Sequence, residues 1–415
     1  MRVLHIGKFY PPYAGGIERF SAELCAALAA RSVDVMMLAH ASPGNGGAMG
    51  FRKDGVEVRL AACHGQLLYA PVSPSFPLLL SRLIGEFAPD LLHLHVPNTS
   101  AFWALLTPAA RRLPWLVHWH ADVPLDVGRP ALRAMYSLYR PFEQALLQRA
   151  DTIIATSAPY RDTSAALAPW RSKTHVVPLG IGESPPDHSS VEKMEIAAKD
   201  TSAQSTAWPG TGLRLLAVGR LSYYKGFDVL LRALALTPEA SLLLIGSGEC
   251  EAGLRALARE LGIEHRVCFA GHVDDAQLAL AYAQAQVFCL PSIERTEAFG
   301  VVLLEAMRAR LPAIATTIIG SGVGYVVADG ASGLLVPPGD AAMLASAIRR
   351  LGDDAALRAR LGEAGQTRWR AEFTLDRCAD RVLDLYRSLL PENRYPAAAA
   401  PAPSPTRARS EERDG

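Results

Sequence analysis

Two glutamates, Glu297 and Glu305, stand eight residues apart on a segment whose local pattern suits ligand chemistry. An apolar strand over 287–290 is expected to end in the loop Pro291-Ser292-Ile293-Glu294-Arg295-Thr296-Glu297, with a helix beginning near Phe299. At the helical rise, eight residues put roughly 12 Å between the two carboxylates along the axis. That is too far for a paired acid and base, but it suits the two ends of one elongated ligand. Carboxylates accept hydrogen bonds from sugar hydroxyls. The first helical amides, near Phe299 and Gly300, offer a place for a phosphate. On spacing alone the alternative also stands, in which Glu297 caps the helix and Glu305 is solvated.

A second constellation is Gly219-Arg220-Leu221-Ser222-Tyr223-Tyr224-Lys225-Gly226, between an expected strand and its helix. Two cations flanked by glycine make a fixed positive corner, which a departing diphosphate needs as its leaving oxygen gains negative charge. Arg can chelate two phosphate oxygens, whereas Lys acts as a point charge. An exposed loop with ordinary surface cations would have the same sequence. The dinucleotide fingerprint GxGxxG is absent here. In Tyr13-Ala14-Gly15-Gly16-Ile17-Glu18, paired glycines at a helix start let amides approach an anion closely, as would a plain tight turn.

The motifs His93-Leu94-His95 and His118-Trp119-His120 each set two imidazoles on one side of a strand. Either pair could in principle hold a metal, but no cysteine or acidic cluster completes a site at a familiar spacing, and no metal is expected. His93 and His118 read as structural. His120, followed by Ala121-Asp122, is expected at a strand tip facing a cleft.

These motifs require a scaffold. A chain of 415 residues is long for one core and suits two domains. Its 50% hydrophobic and 20% charged content is that of a soluble globular protein. A net charge of +1 excludes a global field for nucleic acid. Strands are expected over 3–7, 33–38, 56–60, 91–94, 116–120, 152–156 and 175–178, with a helix over 16–30. The rhythm breaks over 183–212, a Pro/Ser/Thr-containing linker with a mobile insertion. It restarts with strands over 213–218, 241–245, 267–270, 287–290, 313–316 and 333–336, alternating with helices that run to about 390. The tail over 391–415 is expected to be disordered. Two parallel α/β units leave a cleft between the carboxyl ends of their sheets, where such folds bind ligands. Six scattered cysteines without a CxxC pair suggest a reducing, cytoplasmic compartment. The first residues lack a signal-peptide core, and no apolar run approaches the roughly 18 residues of a membrane span.

Taken together, the motifs resemble the GT-B retaining glycosyltransferases of family GT4, over roughly residues 1–390. The resemblance rests on Gly15-Gly16, His120, Gly219-Arg220…Lys225-Gly226, Glu297-(seven residues)-Glu305 and Gly330…Gly333-Leu334-Leu335-Val336-Pro337-Pro338-Gly339-Asp340. It implies an α/β fold of two Rossmann-like domains facing each other across a cleft. Residues 1–182 would form the acceptor domain and 213–372 the donor domain, with a helix over about 373–390 crossing back onto the first. Arg220 and Lys225 would hold the donor diphosphate, assisted by amides at Gly15, Gly16, Phe299 and Gly300. Glu297 would bind the transferred sugar and Glu305 the ribose, and His120 would line the reacting face. No metal or other cofactor is implied. The sequence departs from the commoner Gly-Gly-Glu pattern at Ile319-Gly320-Ser321-Gly322-Val323-Gly324-Tyr325. With His120-Ala121-Asp122 and Arg295-Thr296-Glu297, this form is similar to bacterial mannosyl- and rhamnosyltransferases of surface-polysaccharide assembly, which use GDP-sugars and lipid-linked acceptors.

Arginines at 111, 112, 129, 133, 140 and 149, beside Phe102-Trp103 and Tyr136…Tyr139, suggest peripheral contact with an anionic membrane face. Scattered surface arginines would look the same. Rival readings are a sugar-nucleotide epimerase of the same architecture and a non-catalytic sugar-nucleotide-binding protein. The pairing of Arg220/Lys225 with Glu297/Glu305 favours transfer.

Overall fold

The computed structural model describes residues 1–391 other than 14, 45–46, 48, 68–69, 124–129, 184–207 and 211. Most of the expected linker over 183–212 and nearly all of the tail over 391–415 therefore lie outside the described residues. So do parts of the segments over 44–50, 66–75 and 123–130, and Arg129.

The first unit is one sheet built from β1 (Arg2–Phe9), β2 (Asp34–His40), β3 (Met49–Lys53), β4 (Val56–Ala61), β7 (Leu91–Val96), β8 (Trp115–Trp119), β9 (Thr152–Ala155) and β10 (Thr174–Val176). A separate hairpin, β5 (Gln66–Leu67) and β6 (Ala70–Pro71), stands outside it. The spatial order is β10-β9-β8-β7-β1-β2-β4-β3. All neighbours are parallel except β3 and β4. Strands β7 and β8 are buried at every residue, as continuous apolar runs between two helical layers should be. Trp115, Trp119 and Phe76 are among the large side chains sealed in this core. Each such burial contributes roughly 1.5–3 kcal/mol.

The antiparallel β3 and the β5–β6 hairpin add to the expected strands. All five residues of β3 are exposed, so that edge strand has no apolar alternation to betray it. Its turn to β4 is Asp54-Gly55, with φ of 50° and 80°, the left-handed pair that a two-residue hairpin demands.

The second unit is wholly parallel and matches the expected strands closely: β11 (Leu213–Val218), β12 (Ala240–Ile245), β13 (Val267–Gly271), β14 (Val287–Leu290), β15 (Ala313–Thr316) and β16 (Gly333–Val336). Its order is β13-β12-β11-β14-β15-β16. The chain leaves β11 toward β12 on one side and returns to β14 on the other. The crevice between β11 and β14 is therefore a topological switch point, where open α/β sheets place their ligands.

Two chain crossings join the units. Ile181 pairs with Thr374 in an isolated parallel bridge, with Ile181 N donating to Phe373 O at 3.1 Å and Leu375 N to Ile181 O at 2.9 Å. A Cβ at Gly180 would stand 2.3 Å from the Thr374 carbonyl oxygen, so only glycine fits there. The final helix, Leu375–Leu389, buries Cys378, Ala379, Val382, Leu383 and Tyr386 on one stripe. It packs against the Gly16–Ala29 helix of the first unit. Arg31 reaches from that unit to Asp376 and Asp380, each at 2.7 Å.

Candidate active site

The loops that leave β11 and β14 meet at the switch point. Lys225 closes a short turn, Tyr223–Lys225, and Gly226 follows with φ 64°. A Cβ at Gly226 would lie 2.2 Å from the Pro291 carbonyl oxygen. Glycine thus lets the first loop press against the second, and Ile293 N donates to Tyr224 O at 2.8 Å across that contact. The result is a buried ion pair, with Lys225 Nζ 2.6 Å from Glu297 Oε2. Ser292 Oγ donates to the same carboxylate oxygen at 2.9 Å. Burial pulls the Lys225 pKa down, but the adjacent Glu297 carboxylate outweighs it and leaves the pKa above its ordinary value. Lys225 is a cation here.

Arg220 sits in the same loop but is exposed, and its Nε lies 3.4 Å from Glu249 Oε2. Spacing alone allowed Glu297 to be a helix cap. In the structure the Val301–Arg308 helix is instead capped by Gly300, with φ 79° and no side-chain bond. Phe299 is buried beside it. The helix therefore starts slightly later than expected. The departure at residues 319–324 has a structural role: Ser321 Oγ donates to the Glu297 carbonyl, and Gly322 N donates to Ala298 O at 2.8 Å. This loop braces the segment that carries Glu297.

Arg295, two residues before Glu297, forms an ion pair with Asp122 of the first unit. Its guanidinium lies 4.0 Å from the Tyr160 ring centroid, and its Nε donates to Gly320 O at 3.1 Å. Both residues stood in motifs of the sequence. Their pairing did not, because they lie on different domains.

Glu305 is half-buried and accepts a hydrogen bond from Tyr282 at 2.8 Å. Burial raises its pKa, while Tyr282, Arg19 and Arg308 pull it back. It lines a cavity of about 390 Å³ together with Glu183, Tyr282, Arg308, Trp369 and Arg370. Tyr282 had no signal in the sequence, since its helix, Asp275–Gln284, carries it among alanines and leucine. At the other sheet, the Gly16–Ala29 helix starts without a side-chain cap. A Cβ at Gly16 would meet nothing within 4 Å, so that helix start is open, whereas one at Gly15 would strike Glu18.

His120 lies one residue past β8, and its backbone N donates to Val96 O at 3.0 Å. It was expected at an open strand tip but is only 4% exposed. Its Nε2 is 3.0 Å from His95 Nδ1, and the Phe20 ring approaches edge-on at 5.7 Å. Among the described residues, two buried trios bring ring nitrogens within 4.8 Å of one another: His5/His93/His95 and His95/His118/His120. The His93 and His95 rings are inclined by only 12°, and those of His118 and His120 by 7°.

The basic face is partly internal. Arg149 bonds to Asp151 at 3.0 Å and to the carbonyls of Arg111 and Leu113, and stacks on Trp115. Arg111, Arg112 and Arg140 are exposed. The side chain of Arg133 lies outside the described residues. None of the six cysteines forms a disulfide among the described residues. No helix among the described residues is long and apolar enough to cross a membrane.

Residues 198–368 match the family described as glycosyl transferases group 1, and residues 15–180 match the glycosyl transferase 4-like domain. The O-antigen chain mannosyltransferase C of Escherichia coli is 28% identical over 394 residues, which cover 94% of this chain and 99% of that protein. A D-rhamnosyltransferase of Pseudomonas aeruginosa is 31% identical over 385 residues, covering 90% and 92%. Among solved structures, sucrose-phosphate synthase from Thermosynechococcus elongatus aligns with a TM-score of 0.73 at 26% identity, over 94% of this chain and 99% of that one. With both units matched in order and relatives aligned along nearly their full lengths, the chain is a glycosyltransferase of GT-B architecture and belongs to the group 1 glycosyl transferases.

Proposed function

We propose that this glycosyltransferase is a retaining, metal-independent enzyme that moves mannose from GDP-mannose onto a glycan or lipid-linked acceptor in cell-surface polysaccharide synthesis. The carrying observation is the buried Lys225–Glu297 pair at the β11/β14 switch point, with Arg220 exposed in the same loop and 3.4 Å from Glu249. When a donor enters, Lys225 and Arg220 neutralise the diphosphate, and Glu297 exchanges part of its bond to Lys225 for hydroxyls of the sugar. Amides at Gly16 and near Phe299-Gly300 assist on the phosphates. Glu305 takes the ribose at the edge of its cavity, and His120 lines the reacting face. The acceptor hydroxyl attacks from the side the phosphate leaves, and a departing phosphate oxygen takes its proton. The mannosyl- and rhamnosyltransferase relatives support the hexose and the polysaccharide setting.

The peripheral membrane contact belongs to this proposal. Met135, Leu138 and Phe142 are 38%, 74% and 51% exposed on one face of the Pro130–Arg149 helix, and Phe142 stacks on Phe102, which precedes exposed Trp103 and Leu106 in the chain. An apolar face flanked by Arg111, Arg112 and Arg140 suits an anionic leaflet at the cytoplasmic side. Melting the protein with GDP and with UDP tests the donor: GDP is expected to raise Tm more. A larger rise with UDP would replace the donor base. Failure of every nucleotide sugar in a panel to release its nucleotide in the presence of lipid-linked acceptors would sink the reading.

A further inference from the structure

Five buried imidazoles and one phenol stand in single file through the first unit. His118 Nδ1 is 3.2 Å from His93 Nε2, and His93 Nδ1 is 2.5 Å from the Tyr386 hydroxyl. That hydroxyl is 3.2 Å from His5 Nε2. His5 Nδ1 is 3.1 Å from His95 Nε2, and His95 Nδ1 is 3.0 Å from His120 Nε2. The strand register builds this file, because His5 pairs with His93 between β1 and β7, and His95 with His118 between β7 and β8. Tyr386, brought back by the final helix, joins the two arms. The two ends, His118 Nε2 and His120 Nδ1, are buried without a protein partner. Their rings stack 4.2 Å apart, and Phe20 stands edge-on to both.

Burial, reinforced for most of them by neighbouring imidazoles, holds these histidines well below their ordinary pKa, His95 at about 3. All five are therefore neutral at pH 7. A neutral imidazole has one N–H and one bare nitrogen, so each link dictates the next. If His120 carries its proton on Nε2, it donates to His95 Nδ1, which puts the His95 proton on Nε2. The same step repeats through His5, the Tyr386 hydroxyl, His93 and His118, and every ring ends as the Nε2–H form. The reverse direction makes every ring Nδ1–H. Any mixture sets two lone pairs or two protons against each other, or leaves the Tyr386 O–H without an acceptor, in a dry interior where an unmade hydrogen bond is costly.

We propose that the five histidines share one tautomer, and that Tyr386 and His5 are positioning residues that fix whether His120 Nδ1 presents a proton or a lone pair. The consequence for catalysis rests on the reading of His120 at the reacting face. Switching between the two forms moves one proton along each link, with one entering at one end and one leaving at the other. Neither end nitrogen has a protein partner to supply or take a proton, so the file holds its tautomer and does not conduct.

Long-range proton–nitrogen NMR spectra of the full chain labelled with 15N-histidine show which nitrogen of each ring is protonated. The five file members are expected to share one form at pH 7, while exposed His175 and His265 average both. Tyr386→Phe removes only the bridging oxygen, uncouples His118–His93 from the other three rings, and should abolish the uniform pattern. Mixed tautomers in the wild type, a doubly protonated member, or an equivalent of zinc held by these rings after chelator dialysis would each overturn the proposal. An unchanged pattern in Tyr386→Phe overturns the assignment to Tyr386. His120→Ala tests the underlying reading separately: normal transfer there, with uniform tautomers in the wild type, removes His120 from the reacting face and leaves the shared tautomer standing.

Discussion

Asp122 and Arg295 lie 173 residues apart and pair directly across the two domains. Each is held by its own domain before it meets the other. Asp122 Oδ1 accepts from Trp119 Nε1 at 2.8 Å and from Ser164 Oγ at 2.7 Å. Arg295 is tied to Gly320 of its own domain, while its guanidinium lies over Tyr160 of the first unit. The pair fastens the first unit to the very loop that carries Glu297.

That clasp predicts energetic coupling. In a double-mutant cycle of Asp122→Ala and Arg295→Ala, denaturant unfolding should show roughly 1–3 kcal/mol of interaction energy. Strictly additive single effects would mean that the contact does not persist in solution.

Lys225 and Glu297 should separate stability from catalysis. Removing either partner leaves a buried charge unpaired, at a cost of roughly 3 kcal/mol. The double Ala variant should lose less than the sum of the two. Each single variant should lower kcat by roughly 10²–10³-fold, the effect of deleting one preorganised group at the developing charge. Near-normal turnover in either would refute the site.

How much of this site was legible in the sequence depended on how local its parts were. Strands β11 to β16 each announce themselves as short apolar runs, and Lys225 and Glu297 each stand in a loop of recognisable chemistry. Their contact needed only the strand order. The alternation in His93-x-His95 and His118-x-His120 fixed which side those rings face. His5 and Tyr386 carried no such signal, because one sits alone on β1 and the other returns from the far end of the chain. The Asp54-Gly55 turn was visible in principle, but its exposed strand offered no apolar pattern to confirm it.

Glu143 gives a pH signature. It is buried, with Oε1 unpartnered and Oε2 accepting from Tyr136 at 2.9 Å. Burial, aided by nearby Asp122, pushes its pKa from 4.5 up to about 7. Below the lower value both folded and unfolded chains hold the proton. Between the two values only the folded chain does, so stability falls as pH rises through that window and then levels off. The loss is on the order of 3 kcal/mol. Glu143→Gln should abolish this fall, leaving the variant more stable than the wild type at pH 8 and equal to it at pH 4. Parallel unfolding curves at the two pH values would contradict the assignment.

The exposed apolar face can be tested by charge. Leu138→Glu with Phe142→Glu should abolish flotation with anionic vesicles at low salt, while Tm stays within a few degrees, since Leu138 is largely exposed and Phe142 about half exposed. Flotation unchanged by the pair, or absent from the wild type, would remove the membrane contact.

The lacing of Ile181 to Thr374 makes the two halves of this enzyme inseparable as modules. A fragment ending near residue 180 would be stripped of the helix that covers Leu24 and Leu28 and supplies the phenol between His5 and His93. The remaining fragment would carry that helix as an amphipathic flap with nothing to cover. Reconstitution from split genes should therefore require the Leu375–Leu389 segment to travel with the N-terminal half, and recombination that exchanges donor domains between relatives must place its second breakpoint before Thr374.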